Sequence, residues 1–196
     1  MRIRIAVKTL VLAALVAGTT GCGYNRIQQL DEAAAKAKQN ISVQLQRRAD
    51  LVPNLVETVK GYAKQEAEIF ESVAQARGAL AGAVSSGDLG QMSTASTQLN
   101  GALGRLLAIS ESYPQLKSNE NFIRLQDELA GTENRIGVAR TDYNSAVNEY
   151  NTYIRTFPAV LTAKVMGSAA REYFELADKA AAAPPKVDFS QPAKKP

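Results

Sequence analysis

Between Asn119 and Phe157 apolar side chains return every seven residues, at Phe122, Leu129, Ile136, Tyr143, Tyr150 and Phe157. A second seam follows three residues behind, at Leu125, Thr132, Ala139, Ala146 and Tyr153, with Val147 and Ile154 beside it. Positions three and four apart share a face only on an α-helix, because a strand's faces alternate every residue. Five heptads of such a stripe must be buried against other helices. Ser118 or Asn119 can cap the start, and Pro114 keeps the preceding segment from running into it. Pro158 ends it, since the residue before a proline avoids the helical region. Gly131 and Gly137 lie inside at a cost of about 1 kcal/mol each relative to alanine, either as points of close helix approach or as tolerated positions.

The same spacing runs through most of the chain after Tyr24, and no convincing period-two pattern interrupts it. A first helix is expected from about Tyr24 to Arg48, with Ile27, Leu30, Ala34, Ala37, Ile41 and Leu45 on one face. A second is expected from Asp50, as its N-cap, to about Val84, with Pro53 in its first turn and Val52, Val56, Val59, Ala63, Phe70, Val73 and Leu80 inward. A break is required, because an unbroken helix from 24 to 84 would reach about 90 Å. Pro53 places that break between Arg48 and Pro53. Ser85 to Asp88 form a turn, and Asp88 caps a third helix carrying Leu89, Met92, Leu99, Leu103, Leu106 and Ile109, which stops before Tyr113-Pro114. Short connections make these antiparallel neighbours, so the expected fold is all-α, an antiparallel four-helix bundle. Leu161 to Leu176 is expected as a weaker fifth helix packing on the bundle, within a C-terminal segment 158–183. The Pro- and Lys-rich stretch 184–196 is expected as a weakly structured tail.

Composition removes much chemistry. The 196 residues contain no His, no Trp and one Cys. Ser-His-Asp and Cys-His catalysis, histidine metal ligation and an internal disulfide are therefore absent. The formal charge is +4, but the excess sits at the ends. Without Arg2, Arg4 and Lys8 the chain keeps 20 basic residues against 19 acidic ones, and the span 23–183 has 17 against 18. Nucleic-acid binding needs a concentrated basic face, which is not present, so no nucleic-acid partner is expected.

Residues 1–22 read as an export signal or anchor. Arg2, Arg4 and Lys8 precede a nine-residue apolar run, Leu10 to Gly18, then Thr19, Thr20, Gly21 and the single cysteine, Cys22. The run is roughly half of the ~20 residues that a spanning helix needs. Cys22 after such a run is similar to a bacterial lipobox, with Thr19 where leucine is usual, and is the expected lipidation site. The alternative is an uncleaved N-terminal anchor over Ile5 to Cys22. Both place the rest of the chain, from Gly23, on the outer side of a bacterial cell membrane or outer membrane, facing the periplasm or outside.

The stretch Val43 to Ala63, VQLQRRADLVPNLVETVKGYA, closely resembles the signature block of the LemA family of bacterial membrane-associated proteins. The resemblance continues through Glu71 to Arg77 (ESVAQAR), Tyr113 to Arg140, Asp142 to Asn151 (DYNSAVNEYN), Thr156 to Pro158 and Pro184 to Phe189 (PPKVDF). Gly23-Tyr24-Asn25 matches the family's usual entry into its first helix. The resemblance implies an antiparallel four-helix bundle over 23–157 on the outer side of a bacterial membrane, without an established enzymatic activity or an agreed set of site residues.

Within the signature block, Arg47, Arg48, Asp50 and Asn54 are the densest polar group and the candidate partner-binding residues, expected at a corner between two helices. The bland alternative makes Asp50 a cap and Arg47 and Arg48 C-terminal charges of the preceding helix. Glu128 and Glu133, with Arg124, Arg135 and Arg140 nearby, are expected to form ion pairs rather than a hard-cation site. Tyr24, Tyr143, Tyr150 and Tyr153 are expected in or at the edge of the core. The overall expectation is a non-enzymatic interaction or scaffold module of the cell envelope, with no catalytic residues, no metal and no cofactor. Its expected partners are the lipid bilayer and an unidentified envelope protein, and a homo-oligomer is allowed. The competing expectation is an envelope enzyme using carboxylates or a Ser-Lys pair.

Overall fold

The computed structural model describes residues 2–175, with side chains from Gly23 to Glu175. The Cys22 side chain, the site of the expected lipidation, and the tail 184–196 lie outside the described residues. Among the described residues the structure is all-α, as expected, with helices α1 (Arg2–Lys60), α2 (Ala67–Ser86), α3 (Leu89–Ser112), α4 (Pro114–Lys117), α5 (Glu120–Tyr153) and α6 (Ala159–Met166). α1 packs mainly on α5, and α2 on α3. Contacts fix the directions. Ile27 and Leu30 of α1 cluster with Tyr150 and Ile154, Arg48 pairs with Glu133, and Asn119 Nδ2 donates to the Tyr62 hydroxyl, so α1 and α5 are antiparallel. α2 and α3 form an antiparallel hairpin around Gly87, whose left-handed conformation (φ 72°) is free of strain only for glycine.

The apolar seams are inward. Ile41, Leu45 and Leu55 of α1, Val73 and Leu80 of α2, Met92, Leu99 and Leu106 of α3, and Ile136 and Val147 of α5 are fully buried in one cluster. Asp88 caps α3 by accepting from Gln91 N–H at 2.7 Å, and Asn119 caps α5 by accepting from Phe122 N–H at 3.0 Å. α3 ends at Ser112, and Pro114 opens the single turn of α4 where its missing N–H costs nothing.

The expected break between Arg48 and Pro53 is not there. α1 continues through Pro53 to Lys60, and the chain reverses at 61–66 instead. Asp50 is therefore no N-cap but a mid-helix residue that accepts from Gln46 Nε2 at 2.8 Å. Proline inside a helix removes the N–H that would reach the carbonyl four residues back, here that of the buried Ala49. Arg77 of α2 fills the gap, since its Nε donates to the Ala49 oxygen at 2.9 Å. A neighbouring helix supplies the donor that proline lacks, and α1 stays continuous.

α5 ends at Tyr153 rather than at Pro158, so the last seam position, Phe157, is exposed. A Cβ added at Gly137 would meet nothing, and at Gly131 only the end of the Arg135 side chain, so neither glycine marks close helix approach. The expected fifth helix over 161–176 is helical only to Met166. Gly167 (φ 68°) then turns the chain into an extended strap, residues 168–175.

Arg77→Met should orphan the Ala49 carbonyl and cost about 1–3 kcal/mol. In a Pro53→Ala background, where residue 53 can itself donate, the cost should shrink. Urea melts of the two single variants and the double variant measure the coupling; strict additivity would show that Arg77 does not serve that carbonyl.

Candidate functional site

Because α1 is continuous at the signature block, its polar residues sort by helical phase and not around a corner. Arg47, Asp50 and Asn54 are exposed, whereas Arg48 is buried. The exposed three extend a stripe that begins at Lys36, Asn40 and Val43, alternating steps of four and three residues. Val43 is the apolar member, and a shallow groove beside it is lined by Gln39, Gln46, Arg47, Asp50, Leu51 and Val84. The structure thus brings three of the four candidate residues together on an open face and sends Arg48 to the opposite side.

Arg48 donates from Nη1 to Glu133 of α5. Arg140, two turns beyond Glu133, donates from Nη2 to Ser96 Oγ of α3 at 3.3 Å. Its guanidinium also stacks over the Phe174 ring of the strap, 4.8 Å from the centroid. Burial lowers the pKa of Arg140 from its ordinary value, Glu133 opposes that effect, and Arg48 adds to it. Two guanidinium groups and one carboxylate therefore tie α1, α3, α5 and the strap together. Glu128 is exposed, and no group of three or more His, Cys, Asp or Glu among the described residues could hold a metal ion.

The strap is the second polar feature. Asn151 of α5 clasps the backbone of Arg171, donating from Nδ2 to its carbonyl at 2.9 Å while Oδ1 accepts from its N–H at 2.8 Å. Asn144 holds Phe174 in the same way, at 3.1 and 2.8 Å. The spacing explains the fit. Seven residues of helix rise about 10.5 Å, and three residues of extended chain advance about 10 Å, so asparagines two turns apart meet every third residue of the strap. Tyr143 donates its hydroxyl to the Glu172 carbonyl at 2.8 Å, and Ser93 donates to that of Glu175 at 2.7 Å. Each backbone group held in this way would otherwise need water or a strand partner.

Two strap side chains add specificity. Phe174 enters the main core. Arg171 donates from Nε to Asp31 Oδ1 of α1 at 2.8 Å and lies over the Tyr150 ring. The hydrogen bond from Arg171 lowers the Asp31 pKa below the usual 3.8, opposed by burial, and the Arg171 pKa is raised in turn. Burial raises the Tyr143 hydroxyl pKa above 10.0, in keeping with a phenol that acts as a donor. Tyr143 and Tyr150 are in the core and Tyr153 is half-buried, while Tyr24 is 49% exposed.

A family model described as the LemA family matches residues 37–189, a span that includes the stripe from Asn40 onward, Arg48, Arg140 and the strap. The chain belongs to the LemA family. It is 29% identical over 175 residues to magnetosome proteins MamQ 1 and MamQ 2 of Paramagnetospirillum magneticum, covering 78% of this chain and 64% of each relative. It is also 29% identical over 197 residues to magnetosome protein MamQ of Magnetospirillum gryphiswaldense, covering 89% of this chain and 72% of the relative. The chain thus spans a little under two thirds of the length of the first two.

Asp31, Asn144, Asn151 and Arg171 of this LemA protein do not stand out in its sequence. The readable signal is a pair of asparagines seven apart, flanking Tyr143 and Tyr150 on a helix that is otherwise apolar inward. Asn151→Ala or Asn144→Ala should loosen the strap, expose the bond after Arg171 to trypsin, and cost about 1–3 kcal/mol from the unpaired backbone groups. Acid should act similarly. The folded-state pKa of Asp31 is depressed, so its stabilisation is complete above the unfolded value near 3.8 and is lost as pH falls through the lower folded value. Hydrogen exchange of the Arg171 and Phe174 amides measured at stepped acid pH, against Asp31→Asn, checks this; a variant with an unchanged acid profile would remove Asp31 from the account.

Proposed function

We propose that this LemA protein is a membrane-anchored, non-enzymatic helical module of the bacterial cell envelope that serves as an interaction or scaffold protein. The observation that carries the reading is the division within the signature block. Arg48, the buried charge, is committed to Glu133 and internal structure, while Arg47, Asp50 and Asn54 are left on an open face beside a groove. A guanidinium and a carboxylate one turn apart on a rigid helix suit recognition of a complementary polar surface.

Anchoring is assigned to the N-terminal segment, by lipid on Cys22 or by the segment itself as an uncleaved helix. One feature supports this. α1 is one helix from Arg2 to Lys60, so the apolar run Leu10 to Gly18 and the bundle share a single rod. Among the described residues, no helix is long and apolar enough to cross a membrane. The bulk of the chain then faces the periplasm or the outside.

Arg47→Glu combined with Asp50→Lys should abolish most in-cell crosslinking of the full chain to its envelope neighbours while shifting stability by no more than about 0.5 kcal/mol, as expected for surface positions. Arg48→Met should instead lower stability by about 1–3 kcal/mol, through loss of a charged hydrogen bond. Unchanged crosslinking in the first variant would remove the stripe as the interface. Mass spectrometry of the native N-terminus tests attachment, and intact Met1 on cytosolic material would overturn it.

A further inference from the structure

Among the described residues, the end of the bundle where α1 enters carries an exposed apolar face. Phe157, Leu161 and Val165, spaced by four on and just before α6, are 77%, 58% and 90% exposed, and Tyr24 of α1 is 49% exposed. α6 turns Ala159 and Ala163 inward with Met166 packed beside them, and leaves Leu161 and Val165 outward. It sits at the root of α1: a Cβ added at Gly23 would meet Thr162 Oγ1 at 3.4 Å. The strap does not return over this face, since it leaves Gly167 toward Ser93. The charges within two segments here, residues 23–30 and 152–170, have one sign. These segments contain Arg26, Arg155 and Lys164 and no Asp or Glu, and all three basic residues are exposed.

We propose that this face, built from Tyr24, Phe157, Leu161 and Val165 and rimmed by Arg26, Arg155 and Lys164, lies on the surface of an anionic lipid bilayer. Exposed apolar side chains next to an apolar leader gain more from the acyl boundary than from water. Lysine and arginine beside them reach lipid phosphates while their stems stay in the apolar layer. Tyr24 is of the residue type that sits at membrane interfaces, with an apolar ring and a polar tip. The bundle would then stand on the membrane on α6 as well as on its N-terminal attachment. The inference rests on the membrane reading above and specifies which face meets the lipid.

The chain has no tryptophan, so a single introduced one reports its own surroundings. Leu161→Trp and Val165→Trp, at exposed positions, are made in the full chain, with Val138→Trp on the exposed side of α5 as the distant control. Each is reconstituted into vesicles of phosphatidylethanolamine and phosphatidylglycerol, with and without brominated acyl chains. The expected result is blue-shifted emission and loss of most of the signal to bromine at 161 and 165, with neither at 138. Adding Arg155→Glu and Lys164→Glu should reduce that quenching without releasing the chain from vesicles. Three results would overturn the inference. If the chain floats with the vesicles and no tryptophan is quenched, the face is not on lipid although anchoring stands. If the chain does not float, the anchoring reading fails and the inference with it. If emission at 161 and 165 shifts without quenching and the chain crosslinks to a second copy through these positions, another protomer covers the face.

Discussion

The structure depends on α1 remaining one helix past Pro53. A proline in a helix interior removes a donor and crowds the preceding turn, at a cost of about 3 kcal/mol. Here the carbonyl it leaves unpaired, that of Ala49, takes a hydrogen bond from Arg77. The helix that this preserves is the surface on which α5, α2 and α6 all pack. A break at that point would separate the contacts of Ile27 and Leu30 from those of Leu55 and Val59, which now belong to a single rod.

The charged groups follow from the same continuity. On a straight helix adjacent residues point about 100° apart, so Arg47 and Arg48 have different fates although they are neighbours. Arg48 faces α5 and needs Glu133, because a buried cation without a counter-charge is costly. Arg47 faces solvent, where its charge is hydrated and free to meet another surface. The strap adds a second layer on α5 and leaves that stripe open. Its backbone pairs with asparagine side chains, and its Arg171 reaches Asp31 on α1, so the C-terminal segment ties the two longest helices together.

Side-chain periodicity made the long helices legible, because burial of a stripe is a property of spacing alone. Phe122 through Tyr150 and the seam of Leu125, Thr132 and Ala139 are buried as read. The caps Asp88 and Asn119 were equally legible, since each acts on backbone within three residues. Pro53 was misread because its local meaning, a helix start, was overridden by a donor 24 residues away in sequence. Phe157 was misread because the heptad persists after the helix has ended. The strap was illegible for a different reason. It is held mainly through its backbone, which every sequence shares, and the side chains that grip it, Asn144 and Asn151 among them, are scattered over α1, α3 and α5. Of the candidate site, the polar group at Arg47 to Asn54 was visible, but its division into one inward and three outward residues needed the continuous helix.

On the membrane-anchored reading, the rod has a consequence for reach. Gly23, at the root beside α6, and Arg47, on the outward stripe, are separated by 24 residues of unbroken helix, which is about 36 Å. That separation has no hinge, because no proline lies between Gly23 and Arg47 and the helix is unbroken there. Register is fixed as well as distance. Inserting a single residue between Asp31 and Arg48 would rotate one ion pair about 100° relative to the other. Asp31–Arg171 and Arg48–Glu133 could then no longer form together against the same α5 and strap. A partner meeting the stripe would therefore do so at one height and one azimuth above the bilayer, which is what a scaffold requires of its arm and what a loop-borne interface could not provide.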